Sequence, residues 1–283
     1  MNKAETFSFV TRENISLNMN LHRAKSNRKD IVVIYFHGGG LLYGTRDDLP
    51  KPYVEQFLQA GYDFLAVDYL LAPEAKLDLI LRSAFETLIF CQNDPKLSSL
   101  MGKYILFGRS AGAYLAFMLC DMLRKKAAAP LALISLYGYA RLDDPQFNTP
   151  SKYYSKLPVV SDESIRKIIA KTPVTYGPMD LRFSLYIKAR QEGSWIKTLC
   201  GNEPLEKYSL SNEQLQNFPP TFLAAATMDP DVPYRISKTL SRLIPDSHLS
   251  TIYQEVHDFD RDTTNDSGRQ TYSEILSWLE KKI

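Results

Sequence analysis

Five short, continuous apolar runs, the first of them wholly β-branched and aromatic, constrain this 283-residue chain most. They are IVVIYF at 31–36, FLAV at 64–67, YILF at 104–107, LALISL at 131–136 and TFLAAA at 221–226. A strand that is apolar on both sides needs cover on both faces, the condition of a parallel sheet with helices above and below it. The intervening segments supply helical patterns at 51–60, 75–91 and 111–126, then 233–243 after the fifth run. A strand at 250–256 and a closing helix at 268–281 continue the rhythm, and two short strands at 7–10 and 15–21 precede it. Strands alternating with helices of this length specify an α/β fold, here an eight-stranded, mostly parallel sheet.

The rhythm breaks once. Residues 141–220 contain no convincing buried strand, only short helical patches at 162–170 and 181–191 in a background rich in Lys, Tyr, Ser and Pro. A connection this long needs structure or a function of its own. The expected layout is a single domain over 1–283, with 141–220 inserted as a cap or lid. Tyr153, Tyr154, Tyr176, Phe183, Tyr186 and Trp195 supply rings there that either line a pocket or pack on the sheet's helices. Lys152, Lys156, Lys167, Lys171, Arg182, Lys188 and Arg190 add positive charge, expected to face solvent, with a funnel for acidic substrates as the alternative.

Charge excludes some partners. Lys plus Arg total 34 against 32 Asp plus Glu, a formal +2 that leaves no electrostatic footprint for nucleic acid. Cys91, Cys120 and Cys200 are too scattered for a disulfide scaffold and form no CxxC pair, so reduced, buried thiols are expected. The opening MNKAETFSFVTREN has no apolar signal core, and no stretch is apolar enough to span a bilayer. These readings lead to the expectation of a cytoplasmic protein.

Chemistry begins at Gly108-Arg109-Ser110-Ala111-Gly112, between the YILF strand and a helix. A nucleophilic serine needs a sharp, strained strand-to-helix turn, and small residues two before and two after it avoid collision with the neighbours. His37-Gly38-Gly39-Gly40 follows the IVVIYF strand, and successive glycines let backbone N–H groups turn toward a ligand. A phosphate loop is not met, because Thr45 stands where Lys is required after Gly44. A dinucleotide fingerprint is weakened by Tyr43 at a glycine position.

A base and an orienting acid must come from later strand ends. His257 follows the last predicted strand, whereas His22 lies in an early strand, His37 in the glycine loop and His248 just before a strand. Asp229 follows the TFLAAA strand and suits the role of holding an imidazole in one tautomer. Asp231 competes with it, but its expected part is to cap the helix starting near Pro233. Asp68 reads as a scaffold hydrogen-bonding group, and Asp258, Asp260 and Asp262 as acids that keep a loop wet or raise the proton affinity of His257. The order Ser110, Asp229, His257 is that of α/β-hydrolases.

The chain from residue 31 on resembles the α/β-hydrolase fold in its hormone-sensitive-lipase-like branch of carboxylesterases and acetyl esterases. The resemblance is carried by HGGG at 37–40, VDYLLAPE at 67–74, GRSAG at 108–112, DPDVP at 229–233 and His257. It implies an oxyanion hole formed by the N–H groups of Gly39, Gly40 and Ala111, and no metal or organic cofactor. Pro73 is expected to set a turn, with Glu74 early in the next helix. Three features depart from the branch. Arg109 stands where many members carry an acid, Gly112-Ala113 replaces a glycine pair, and 36 residues before His37 are too few for an N-terminal helical cap. Ser-Ala-Gly-Ala-Tyr is also similar to arylformamidase-like and deacetylase-like hydrolases. The expected activity is hydrolysis of short-chain acyl or acetyl esters, small molecules, through an acyl-enzyme. Alternatives are an amidohydrolase, a serine peptidase and a catalytically silent binding protein. Branch members often pair through the last strand, which would give a homodimer.

Overall fold

Each apolar run becomes a strand whose neighbours cover it on both sides. The computed structural model describes residues 4–283. Its strands are β1 (Glu5–Val10), β2 (Ser16–His22), β3 (Val32–Phe36), β4 (Asp63–Val67), β5 (Tyr104–Arg109), β6 (Ala132–Leu136), β7 (Thr221–Ala226) and β8 (Ser247–Ile252). They form one sheet in the order β1-β2-β4-β3-β5-β6-β7-β8. β1 and β2 join antiparallel, β2 meets β4 antiparallel, and every pairing from β4 to β8 is parallel. This is the expected α/β-hydrolase architecture, with helices on both faces and a helical subdomain inserted.

Alternation along the strands divides the core in two. Val32, Ile34 and Phe36 of β3 face one layer, and Val33 and Tyr35 the other. Helices α1 (Lys51–Gln59), α2 (Leu77–Asn93) and α3 (Ala111–Arg124) follow β3, β4 and β5. α2 and α3 cover the first face with Ile80, Leu88, Leu115 and Leu119, while α1 covers the second with Tyr53 and Phe57. Full burial of one such side chain contributes about 1.5–3 kcal/mol, so the layers rather than helix propensity stabilise these elements. All three cysteines are buried and free.

After β6 the chain leaves the sheet for α4 (Asp162–Ile168), α5 (Met179–Glu192), α6 (Trp195–Cys200) and α7 (Asn212–Leu215). The last two are absent from the sequence expectation, because six and four residues are too short to show a helical period. The chain then returns through β7, α8 (Tyr234–Leu243), β8 and α9 (Asp266–Lys282), whose Tyr272 and Trp278 join the α1 side. The strand expected at 250–256 is instead β8, ending at Ile252. Its register against β7 stops at Ala226↔Ile252, and Tyr253 to Val256 continue no ladder; Gln254 N–H donates to the Thr227 hydroxyl and Met228 N–H to the Glu255 carbonyl, both at 3.0 Å. His248 therefore lies within β8, where its Nε2 sits 2.7 Å from Glu274 Oε1.

Two basic residues of the inserted segment do not face solvent. The Arg182 guanidinium forks onto the Glu74 carboxylate at 2.9 and 2.7 Å, and the side chains are 6% and 1% exposed. It also donates to the carbonyls of Leu42 and Ala72, both at 2.9 Å. Glu74 therefore serves this pair rather than the first turn of α2, and it accepts from Ala170 N as well. Burial pushes the Glu74 carboxyl up, but Arg182 and the Ala170 N–H outweigh that and hold it below its ordinary value. A lowered folded value means that its stabilisation is complete above the unfolded pKa and is lost as pH falls through the folded one. Arg182→Met should cost about 3–5 kcal/mol in urea titrations at neutral pH, since it strands a buried carboxylate. That loss should shrink in acid, where Glu74 is buried neutral; an equal loss at both pH values contradicts the pairing.

Candidate active site

Ser110 occupies the junction of β5 and α3 with φ 52 and ψ −119, a left-handed conformation that costs a non-glycine residue about 1–3 kcal/mol. Close packing enforces it. A Cβ on Gly112 would lie 2.1 Å from the Phe36 carbonyl oxygen, and one on Gly108 2.3 Å from Ala113 N. The Ser110 N–H donates to the Leu136 carbonyl at 2.9 Å, which ties the turn to β6. Ala111, buried, then opens α3 directly behind the hydroxyl.

The connection after β8 brings His257 to this turn. Its Nε2 lies 2.9 Å from Ser110 Oγ, and its Nδ1 lies 2.6 Å from Asp229 Oδ2. With Nδ1 carrying the proton toward Asp229, Nε2 is left to accept from the serine hydroxyl. Asp229 is itself fixed, because its other oxygen accepts from the N–H groups of Asp231 and Val232 at 2.8 and 2.9 Å. Burial opposes a charge on His257, but the Asp229 carboxylate beside it, helped by Asp231 and Asp258, raises its pKa from 6.5 to about 9. Ser110, Asp229 and His257, far apart in sequence, are thus in one hydrogen-bonded line.

The glycine loop closes the site from the side of β3. A Cβ on Gly38 would stand 3.5 Å from Ser110 Cβ, so the loop runs against the serine. Gly39 has φ +101, and a side chain there would strike the Tyr43 carbonyl at 1.9 Å. Trp195 Nε1 donates to the Gly40 carbonyl at 2.9 Å, so a helix of the inserted segment braces the loop. His37 is a structural part of it. Its ring is fully buried against Tyr69 at 4.1 Å, and its Nδ1 lies 2.8 Å from the Gly38 carbonyl oxygen.

A cavity of about 340 Å³ opens over Ser110 and His257, with Gly39 and Gly40 in its wall. Of the six rings named from sequence, Tyr153, Tyr154, Phe183 and Tyr186 line it. Trp195 sits behind Gly40, and Tyr176 is exposed on the surface. No Lys or Arg of 141–220, the seven named from sequence included, lines the cavity, which overturns the picture of a cationic funnel. Arg190, fully buried, donates to the Tyr186 hydroxyl at 2.8 Å, and Lys188 pairs with Asp162 and Glu192. Asp231 is no helix cap either. Its oxygens accept from Tyr186 at 2.8 Å, Tyr154 at 3.0 Å and Arg190 at 3.3 Å, while α8 starts after Pro233 without a side-chain cap.

Donor atoms of Asp229, Asp231 and His257 lie within 4.8 Å of one another, a spacing that a cation could use. Hydrogen bonds already occupy them, however: Asp229 carries the imidazole and two amides, and Asp231 carries the two tyrosines. Asp68 is scaffold as expected, gripped by Arg46 at 2.7 and 2.8 Å. Asp260, expected to be wet, is fully buried. Tyr43 lines the cavity without any motif to announce it, and Asp258, which also lines it, raises the proton affinity of His257, one of the two roles expected for it.

Residues 33–259 match a family model described as alpha/beta hydrolase fold. A Staphylococcus aureus protein of unknown function superposes with a TM-score of 0.90 at 28% identity, covering 98% of this chain and 99% of that one. An alpha/beta hydrolase superfamily protein from Enterococcus faecalis gives 0.86 at 32% identity, with 98% and 99% covered. Curated relatives match in part. The non-reducing polyketide synthase adrD of Penicillium rubens is 28% identical over 162 residues, 52% of this chain and 6% of that protein. The hormone-sensitive lipase of Bos taurus is 34% identical over 116 residues, 40% and 15% respectively. The chain thus spans a small fraction of the length of these curated relatives. Among the described residues, no helix is long and apolar enough to cross a membrane.

His257 makes a direct check on the hydrogen-bonded line. Because its folded value is raised, the stability it contributes is complete below 6.5 and lost as pH rises through about 9. Asp229→Asn removes the main influence that raises His257 and leaves burial opposed only by Asp231 and Asp258, so an NMR titration should place the variant imidazole well below about 9. A variant imidazole that still titrates near 9 would show that Asp229 is not its partner.

Proposed function

Because the chain belongs to the alpha/beta hydrolase fold family, we propose that it is a serine carboxylic-ester hydrolase of the hormone-sensitive-lipase-like branch. Its substrates are short-chain acyl or acetyl esters. The observation that carries this reading is the line from Ser110 Oγ through His257 to Asp229, at 2.9 and 2.6 Å.

The chemistry is acyl transfer in two halves. His257 Nε2 takes the Ser110 proton as Oγ attacks the ester carbonyl carbon, and Asp229 offsets the imidazolium that forms. The oxyanion is received by the N–H groups of Gly39, Gly40 and Ala111, where the glycine loop and the start of α3 meet. Collapse passes the proton from Nε2 to the departing alcohol oxygen and leaves an acyl-serine. Water then attacks this ester with His257 as base, and the acid departs as Oγ recovers its proton.

Residues 141–220 act as the cap of a single domain over 1–283. Tyr154 and Tyr186, Arg182, and Trp195 hold that cap by buried polar contacts to Asp231 in the turn after β7, to Glu74 and to Gly40. A braced cap over about 340 Å³, walled by Tyr43, Phe183 and Tyr186, supports small acyl groups over long chains. The acid-loving alternative loses its support, because the wall offers carboxylates and rings rather than Lys or Arg.

Ser110→Ala should lower turnover of p-nitrophenyl acetate by about 10⁴-fold or more while leaving the circular dichroism unchanged. In a p-nitrophenyl series, kcat/KM should peak at acetate to butyrate and fall toward decanoate. Its pH profile should rise toward about 9 as His257 becomes neutral. Persisting turnover in the alanine variant contradicts the nucleophile, and a maximum at decanoate contradicts the substrate size.

A further inference from the structure

Acyl transfer as described makes no use of Arg109, yet this residue stands immediately before Ser110 with its side chain only 4% exposed. Its fork is fully engaged. Nε donates to the Tyr137 hydroxyl at 2.7 Å and Nη2 to Asp260 Oδ1 at 2.9 Å, while Nη1 faces Tyr35 Oη at 3.5 Å and Asp48 Oδ2 at 3.7 Å. Asp260, wholly buried, also accepts from Tyr137 and Tyr272, each at 2.7 Å. These donors come from the end of β5, the turn after β6 and helix α9.

Asp260 lies three residues after His257, in the connection between β8 and α9, which runs without helix or strand and holds Gln254 and Asp258 at φ 58 and 56. Ladder hydrogen bonds therefore do not hold the stretch that carries the imidazole. Before the imidazole it is tied to the turn after β7 by the Met228 N–H to the Glu255 carbonyl at 3.0 Å and by His257 to Asp229. Beyond the imidazole its buried attachments include the Asp260 carboxylate and the ring contacts of Tyr137, at 4.6 Å to His257 and 5.4 Å to Phe259. Stability alone does not account for the pair, since apolar side chains of similar volume serve a core as well or better.

We propose that Arg109 and Asp260 are positioning residues: their ion pair joins the residue before Ser110 to the loop of His257 and so sets the distance between Oγ and Nε2. The proposal rests on the reading of Ser110 as nucleophile and His257 as base. A displacement of about 1 Å between reacting groups costs about 10²-fold in rate, so a loop freed at Asp260 is felt in turnover. The cavity wall contains neither residue, so substrate binding is not where the effect falls.

The double variant Arg109→Met, Asp260→Leu removes both charges of the buried pair together, and the half-buried Asp48 that loses Arg109 keeps the Tyr35 hydroxyl at 2.6 Å. Three quantities decide: kcat and KM for p-nitrophenyl acetate, and the rate at which a fluorophosphonate labels Ser110. The expected result is a folded protein whose kcat and labelling rate both fall about 10²-fold with KM within about twofold of native. A folded double variant with native kcat and labelling overturns the proposal. Should it fail to fold, Arg109→Lys decides, because it keeps the charge but loses the fork. There kcat should drop about tenfold at unchanged KM, and a native kcat is the overturning result. Native protein that labels without hydrolysing esters defeats the ester reading alone, and the labelling rates still judge the pair. Native protein that does neither defeats both.

Discussion

The descent of α3 onto the carbonyls of Phe36 and His37, allowed by the missing side chain of Gly112, is the contact on which the site depends. It turns the chain sharply enough to hold Ser110 at φ 52 and points the start of a helix at the space beside its hydroxyl. Any Cβ there would need the β3 backbone to move, and β3 lies between β4 and β5 at the centre of the sheet. The local strain is small beside the burial that the two layers achieve, so the turn persists as a rigid feature. Rigidity at this point is useful, because hydrogen-bond distances to Ser110 then depend only on how the other strand ends are held.

Those ends are held mostly by buried polar contacts. Asp229 is secured by amides of its own turn, and the glycine loop by Tyr69 and Trp195. The inserted segment is attached through Arg182 to Glu74 and through Tyr154, Tyr186 and Arg190 to Asp231. Each contact is directional and fails if its partner shifts, so together they specify one arrangement where an apolar interface would permit several. The same contacts change the meaning of the net charge of +2. Two arginines of a segment that reads as basic are consumed inside the protein, and the cavity wall carries Asp231 and Asp258 instead.

Much of this was legible in the sequence. The buried runs are strands at nearly the expected positions, and the helices after β3, β4 and β5 are where periodicity puts them. The residues singled out by glycine spacing and strand-end position, Ser110, Asp229 and His257, do meet. What failed has a common cause. The run at 250–256 reads as one strand, but the ladder with β7 ends at Ala226↔Ile252 and a turn follows, and α6 and α7 are too short to show a period. Asp231 sits where a cap belongs, yet tertiary hydroxyls reach it first. An arginine next to Ser110 at the end of a buried strand was the one available hint of an internal ion pair.

Local rules therefore determined the alternation of strands and helices, the need for glycine at 108 and 112, and the chain order of serine, aspartate and histidine. These follow from backbone sterics and from burial along single elements, which act over a few residues. Only the tertiary structure decided which charges are enclosed and which partner each takes. Arg109 and Asp260 are 151 residues apart, Arg182 and Glu74 108 apart, and no spacing rule connects either pair. The reason is that a charge accepts burial wherever an opposite charge and hydrogen bonds await it, and that place is set by the packing of whole layers.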